Sequence, residues 1–150
     1  MSVQTTYAQT PAVAFNGMIA QQFSLRQIDS GLVETAAIGL GVAMKPGTGV
    51  DQYVAAAADD AVTGASVFAT QDVESQTTFE YAINASFPLM VKGRYWAIAN
   101  AALAKNAVIA YDPATGKVGA VVGATTTLAF AKVITAAAAD GDLVLVEVNF

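Results

Sequence analysis

The sequence predicts an all-β fold: a single-domain β-sandwich or barrel-like arrangement of short antiparallel strands, preceded by an extended N-terminal arm. Three observations support this prediction. The chain has 150 residues, the usual length of one domain. Apolar and polar residues alternate over short runs, as in strands with one buried face. Turn residues separate these runs at short intervals, which is typical of a sandwich or barrel and not of alternating βα units.

Residues 1–16 are polar, contain Pro11 and show no sustained periodicity, so we assign them to the arm and residues 17–150 to the β-domain. The apolar side chains of the arm are spaced widely enough to touch separate places on a neighbouring protein; they are Val3, Tyr7, Val13 and Phe15. A disordered tail has the same composition, and the sequence does not decide between the two alternatives.

Alternation begins after the arm. Ile19, Phe23 and Leu25 fall on one face of a predicted strand. The residues Asp29-Ser30-Gly31 predict a turn, because Asp bonds its own backbone and Gly accepts a positive φ. A second strand is predicted from Ile38 to Met44.

The next boundary is a turn at Pro46-Gly47-Thr48-Gly49, after which the chain continues extended through Tyr53 and Val54. Asp59-Asp60 interrupts this extended chain. A run rich in β-forming residues then covers Val62–Thr70 and predicts a further strand.

The segment Phe87–Ala99 is the most apolar and aromatic part of the chain and predicts a strand, interrupted at Lys92-Gly93 by a bulge or a tight turn. Ala97–Lys105 is rich in alanine, which is compatible with a short helix. We favour a turn at Lys105-Asn106 into a strand at Val108–Tyr111, because Asn tolerates the left-handed conformation.

The last third of the chain begins with a hairpin turn at Asp112–Gly116, followed by a strand at Lys117–Val122. A second turn at Asp140-Gly141 leads into the final strand, Leu143–Phe150. Alternate residues of this final strand form one apolar face: Val144, Val146, Val148 and Phe150.

The composition excludes several kinds of chemistry. The chain has no Cys and no His, so it lacks disulfides, thiolates, soft metal ligands and the commonest general base. Its net charge is −5, and only Lys92 and Arg94 among its basic residues are close in sequence, whereas phosphate binding needs clustered Lys and Arg. We therefore expect no catalytic residues, no cofactor, no metal and no nucleic-acid partner.

The hydropathy pattern gives no sign of a membrane protein. The longest apolar runs, such as Leu143–Val146, are far shorter than the ~20 residues of a membrane helix. Residues 1–9 lack the basic and apolar regions of a signal peptide. We expect neither membrane insertion nor export by that route.

Acidic residues close in sequence are candidates for calcium binding. They are Asp59 and Asp60, Asp72 and Glu74, and Asp140 and Asp142. None has the spacing of an EF-hand loop, so we interpret them as turn and surface residues. Two carboxylates suffice for a glycosidase, but nothing in the sequence pairs particular ones.

Tyr95 and Trp96, beside Arg94, are candidates for stacking on a sugar ring. Strand alternation places these two aromatic residues on opposite faces, and aromatic side chains in strands are more often part of a core. We expect one of them to be buried and the other to lie at an edge or an interface, with Trp96 mostly buried.

Several segments, in order along nearly the whole chain, resemble the structural cement proteins of tailed bacteriophages. Asn16–Ala20 (NGMIA) resembles their GMIAD element, and Ile38–Ala43 (IGLGVA) is similar to their IPFGVAV strand. Val91–Trp96 (VKGRYW) resembles their L-x-G-R-I-W strand. Ala104–Val108 (AKNAV) is similar to their AGDPV turn, and Ala138–Leu143 (AADGDL) to the A-x-G turn before their last strand. Gln21 and Asn106 differ from the residues common in the family, Asp and Gly, but both keep polar character.

The resemblance implies a capsid decoration protein that forms homotrimers on the outer capsid surface of the virion, after assembly in the host cytoplasm. It would sit at threefold and quasi-threefold junctions, where it would bridge neighbouring subunits of the major capsid protein and stabilise the shell. Tyr95 and Trp96 would then lie in the core or at the trimer interface. The arm would contact the capsid through Val3, Tyr7, Pro11, Val13 and Phe15.

Two alternatives remain open. The chain has the features of a tail or baseplate β-module as well, which would be present in few copies per particle, whereas a cement protein approaches the copy number of the capsid subunit. A carbohydrate-binding domain, or an enzyme acting on cell-surface glycans, is the other alternative, and a glycan array or a reducing-sugar assay would identify it.

Overall fold

A computed structural model of the chain describes residues 14–20, 26–68 and 80–150. These residues contain nine β-strands and no helix, so the predicted all-β class is confirmed. The strands are β1 (Gln27–Val33), β2 (Ala43–Pro46), β3 (Gln52–Ala55), β4 (Gly64–Ser66), β5 (Ser86–Ile98), β6 (Val108–Asp112), β7 (Lys117–Gly119), β8 (Ala131–Val133) and β9 (Leu143–Asn149).

The strands form one sheet in the order β1-β3-β2-β4-β5-β9-β8-β6-β7. Because β1 also pairs with β5, the first five strands form a closed set of pairings, which we call the first ring. The last five strands, β5 to β9, form a second ring, which closes where Ala99, just after β5, bridges Val118 of β7. All pairs between named strands are antiparallel except β1 with β3.

The strand β5 has 13 residues and belongs to both rings. Its first half pairs with β1 and β4, and its second half pairs with β9 along seven successive residue pairs, from Lys92↔Asn149 to Ile98↔Leu143. The pairing with β1 contains a bulge, because Gln27 is opposite Lys92 whereas Ile28 is opposite Met90. The predicted interruption is therefore a bulge one residue earlier, and the strand continues through Gly93 without a tight turn.

Two hydrophobic clusters form the core. The smaller cluster belongs to the first ring and its margins: Val33, Ile38, Leu40, Met44, Tyr81, Phe87 and Leu89. The larger cluster combines the second ring with alternate residues of β2, β4 and β5, among them Ala43, Ala65 and Met90. Neighbours such as Leu89 and Met90 thus belong to different clusters, which means that β5 is buried on both faces at this point.

The predicted turn at Asp29-Ser30-Gly31 is wrong, because these residues lie within β1 and pair with Leu89, Pro88 and Phe87. Gly31 is required there by packing and not by a positive φ. A Cβ atom on Gly31 would lie 2.6 Å from Cδ2 of Tyr53, so the ring of Tyr53 occupies the space that a side chain would need. Glycine in a strand marks such a close approach as often as it marks a turn.

The predicted strand at Ile38–Met44 is also displaced. Ile38 makes only an isolated bridge with Tyr81, and the chain turns at Gly41, which has a φ of 73°. The strand β2 begins after this turn. Likewise only Gly64–Ser66 of the predicted Val62–Thr70 run pairs as a strand, and residues 69 and 70 lie outside the described residues.

The turn predicted at Pro46–Gly49 lies slightly later, at 48–51, because Pro46 still belongs to β2. Other predicted boundaries are confirmed: a turn occurs at 113–116, and the chain turns at 105–106, where Asn106 has a φ of 68°. The Ala97–Lys105 segment contains the end of β5 and no helix. The strand at 117–122 is shorter than predicted and ends at Gly119. In β9 the predicted apolar face is buried at Val144, Val146 and Val148, while Phe150 remains 40% exposed. Of the first predicted strand, Ile19 bridges Tyr95, and Phe23 and Leu25 lie outside the described residues.

Candidate functional surface

Two of the acidic residues considered as calcium ligands, Asp60 and Asp142, stabilise turns. Asp60 accepts a hydrogen bond from the Ala57 N–H (2.7 Å) and forms a salt bridge with Lys45 (2.7 Å). Asp142 accepts from the N–H groups of Ala138 (2.8 Å) and Ala139 (2.9 Å). In residues 14–20, 26–68 and 80–150 no group of three or more acidic residues is arranged to hold a metal ion. Asp72 and Glu74 lie outside these ranges.

The described chain has no helix that is long and apolar enough to cross a membrane.

Tyr95 lies at the centre of the larger cluster and is completely buried. Its hydroxyl has no hydrogen-bond partner among the described residues. Burial, with a smaller effect of the nearby Tyr111, raises the pKa of Tyr95 far above its usual range. Burial and then the charge of Asp112 also raise the pKa of Tyr111, to about 12. Both phenols are therefore neutral at physiological pH, and Tyr95 is not accessible to a sugar.

We expect the Tyr95→Phe variant to be at least as stable as the natural chain. The substitution keeps the buried ring and removes a hydroxyl that lost its contact with water without gaining a partner in the described structure. Leaving such a group unsatisfied costs about 1–3 kcal/mol, so its removal is neutral or stabilising. Urea unfolding measures the effect. A loss of more than about 1 kcal/mol would show that the hydroxyl does have a partner.

Trp96 points to the opposite side of β5 from Tyr95 and is only partly buried. It belongs to a row of apolar residues that crosses four neighbouring chain segments. Trp96 is paired with Leu145 of β9, and the backbone N–H of Trp96 donates to the carbonyl of Met18 (2.9 Å). The Ile134 N–H, just after β8, donates to the carbonyl of Leu145 (2.8 Å). All four side chains of this row are partly exposed, and none belongs to either core cluster.

A charged row lies beside the apolar row. Nε of Arg94 is 2.7 Å from Oε2 of Glu147, with about a third of each side chain exposed. On the other side of β9, Lys132 of β8 is paired with Glu147. Lys92 lies two residues before Arg94, on the same face of β5. We call these two rows the outer face: Met18, Lys92, Arg94, Trp96, Lys132, Ile134, Leu145 and Glu147. The outer face contains three of the seven basic residues of the chain but one of its twelve acidic residues.

A groove of about 420 Å³ adjoins the charged row. Lys132 and Glu147 line one side of it, and the rings of Phe130 and Phe150 are stacked along it with an interplanar angle of 6° and centroids 6.2 Å apart. Most of the residues that line the groove are apolar. One of them, Val108, is 61% exposed. It therefore extends the outer face towards the end of the chain.

A second exposed apolar area lies where β1 ends and β5 begins. The Leu32 N–H donates to the carbonyl of Asp51 (2.8 Å), and the Asn84 N–H donates to the carbonyl of Val33 (2.8 Å). The end of β1 is therefore next to the two chain segments that contain Asp51 and Asn84. Val50 is 88% exposed and Ile83 is 51% exposed. We call this area the tip patch: Leu32, Glu34, Val50, Asp51 and Ile83.

The tip patch is acidic. The N–H and hydroxyl of Thr48 donate to the carboxylate of Glu34, which holds the pKa of Glu34 below its usual value. Glu34 is therefore ionised at neutral pH. Asp51 is exposed and adds a second carboxylate next to Val50. The tip patch thus combines apolar side chains with negative charge, whereas the outer face combines them with positive charge.

Residues 15–17, where the arm joins the β-domain, contact the rest of the β-domain. The ring of Phe15 packs edge to face against Phe68, with centroids 5.1 Å apart, and is 42% exposed. Nδ2 of Asn16 donates to the carbonyl of Leu40 (2.6 Å), and the Gly17 N–H donates to the carbonyl of Trp96 (2.7 Å). The other predicted arm contacts, Val3, Tyr7, Pro11 and Val13, lie outside the described residues, so the role of the arm stays a prediction.

The outer face, the groove and the tip patch were not identified from the sequence. The alternation around Trp96 predicted that Tyr95 and Trp96 lie on opposite faces of the strand, with one of them at an edge or an interface. The partners in the two rows come from segments far apart in sequence, however, and only the strand pairing shows that they are neighbours.

Comparison with known proteins gives a family match and a structural match. A protein-family model described as "Structural cement protein (E217 gp24/Pam3 gp6)" matches residues 3–149. Among solved structures, the chain is similar to the crystal structure of the head fiber gp8.5 N base in bacteriophage phi29, with a TM-score of 0.55 and 11% sequence identity. That match covers 83% of this chain and 95% of the other chain, and it concerns the fold alone. No curated protein matches the sequence significantly.

Proposed function

Because the chain belongs to the structural cement protein family of phages, we propose that it binds the outer surface of a viral shell and bridges neighbouring major capsid subunits at threefold and quasi-threefold junctions. The observation that carries this proposal is the family match, which covers residues 3–149. The resemblance seen in the sequence is confirmed at the level of the family.

The surfaces of the β-domain suit such a role. A cement protein needs shallow contacts that are repeated by symmetry, and it needs no turnover. The outer face is partly exposed and contains Trp96, Arg94 and Met18, which are residue types enriched at interfaces. The tip patch exposes large apolar side chains, among them Val50 and Ile83. We propose that the protein acts without enzymatic activity or cofactor and as a homotrimer. The homotrimer suits this role, because three linked copies raise the binding strength ~10²–10⁴-fold without better single contacts.

The similar fold of a head fiber base agrees with a position on the particle. That protein is the N base of the head fiber of bacteriophage phi29. We propose the same general location for this chain: the outer capsid surface of the virion, reached after assembly in the host cytoplasm.

Binding to purified shells tests the proposal. We expect the full chain to co-sediment with undecorated shells of the source phage at a copy number close to that of the major capsid protein. Cryo-electron microscopy should then show density for the β-domain at threefold and quasi-threefold junctions. A few copies per particle, located at the tail, would identify a tail or baseplate module instead and contradict the proposal.

A further inference from the structure

We infer that copies of this chain associate head to tail, with the outer face of one copy packed against the tip patch of the next. The inference rests on the proposed function in one respect, the trimer, and it names the two surfaces that would form the trimer contact. It follows from the charges, the apolar composition and the positions of the two surfaces.

The charges of the two surfaces are complementary. The outer face is positive by two charges, from Lys92, Arg94 and Lys132 against Glu147, in a chain with a net charge of −5. The remainder of the chain is therefore negative by seven charges. Complementary potentials direct association and disfavour wrong orientations. A second copy of the chain, approached by its acidic side, is thus a suitable partner for the outer face.

A contact between two outer faces is disfavoured. A twofold contact of this kind uses the same surface on both copies, so it would bring the positive surface of one copy against that of the other. A contact between the outer face and the tip patch avoids this repulsion, because it would bring a surface with an excess of Lys and Arg against one that carries Glu34 and Asp51. Contacts between different surfaces produce rings when the rotation closes, as in a trimer.

Apolar side chains on both surfaces provide area for packing. Trp96 and Arg94, residue types that are common at the centre of interfaces, lie side by side on the outer face. The tip patch offers Val50, Leu32 and Ile83, all of which are at least 38% exposed. Each surface therefore has an apolar part and a charged part, with opposite signs of charge.

The positions of the two surfaces leave both available in every copy. Leu32 of the tip patch is paired with Ser86 at the start of β5, whereas Trp96 lies near the end of the same strand. Between Ser86 and Trp96 the extended strand covers roughly 33 Å. One copy can therefore use its tip patch and its outer face with two different neighbours.

Charge exchange tests the contact. One variant carries Lys92→Glu and Lys132→Glu on the outer face. A second carries Glu34→Lys and Asp51→Asn on the tip patch, which changes its charge from −2 to +1; Asn is chosen because Asp51 has a φ of 56°, a conformation that Asn tolerates. A third variant combines all four substitutions. Lys105→Glu and Val122→Lys, at exposed positions outside both surfaces, are the matched controls.

We expect light scattering and sedimentation to give trimers for the natural chain and for both controls. Each two-substitution variant should have a dissociation constant for association raised about tenfold or more, a change of about 1.4 kcal/mol. The four-substitution variant should recover trimers, because its exchanged charges are again complementary and the effects of contacting residues are not additive. Thermal melting confirms that each variant is folded.

Three outcomes would overturn the inference. The natural chain could remain monomeric at all concentrations, the two-substitution variants could assemble like the controls, or the four-substitution variant could fail to recover. If the outer-face variant forms trimers but no longer co-sediments with shells, the outer face serves the capsid and not a second copy. That result contradicts the head-to-tail contact and leaves the proposed cement function in place.

Discussion

Removal of residues 1–13 is expected to weaken binding to undecorated shells about tenfold or more, while the β-domain stays folded and oligomeric. The apolar side chains of this segment, including Tyr7 and Val13, are too few and too widely spaced to form a core, but they suit shallow pockets on another protein. A segment that becomes ordered on binding loses conformational entropy but covers a large surface. The truncation ends before Phe15, which contacts Phe68 of the β-domain.

Thermal melting and co-sedimentation of full-length and truncated protein measure this effect. Extending the truncation through Phe15 should weaken binding equally and lower the melting temperature slightly, because it also removes the ring contact with Phe68. Tyr7→Ser should weaken binding, whereas Thr6→Ser is the matched control and should not. Unchanged binding by the truncated protein would show that the β-domain alone holds the shell. Unfolding of the truncated protein would show that the segment is part of the β-domain.

Replacement of Phe87 by Ala is expected to lower the free energy of unfolding by about 3–5 kcal/mol. Phe87 is 1% exposed, and its ring lies 5.9 Å from that of Tyr81 and 6.1 Å from that of Tyr53. It also pairs with Gly31, so it helps to fix β1 against β5. Domains are stable by about 5–15 kcal/mol, so this single substitution removes a large part of the total.

Trp96→Ala is the matched comparison for Phe87→Ala. Both substitutions remove an aromatic ring from β5, but Trp96 lies on the partly exposed outer face. In urea unfolding at concentrations where copies do not associate, we expect Trp96→Ala to cost clearly less than Phe87→Ala. Equal losses would contradict the assignment of Trp96 to a contact surface and would place it with the core residues.

The parts of the fold that follow local rules could be predicted from the sequence. The buried valines of β9 alternate with more exposed residues, and the Asp112–Gly116 turn has residues that bond their own backbone: Oδ1 of Asp112 accepts from the Ala114 N–H (2.9 Å). The turn predicted at Asp29–Gly31 was wrong because the same residue types also serve close packing. The reason for Gly31, the ring of Tyr53, lies in another strand and has no local signal.

The candidate surfaces depend on pairing between distant segments, which is why the sequence did not reveal them. Trp96, Leu145 and Ile134 are neighbours only because β5, β9 and β8 are adjacent in the sheet. A sequence pattern gives the face on which a residue lies within its own strand, but it does not give the register with other strands. The role of Trp96 at an interface and the contacts of the arm therefore stay predictions, whereas Tyr95 lies in the core.

The shared strand β5 has a consequence for the way the protein unfolds. The first ring holds the first half of β5 through β1 and β4, and the second ring holds the second half through β9, so the loss of either ring leaves half of this shared strand without its pairing partners. We therefore expect one cooperative transition and no stable half-folded form that a protease could cut. Folding should be slow, because β1 and β5 are far apart in sequence and must meet before either ring closes.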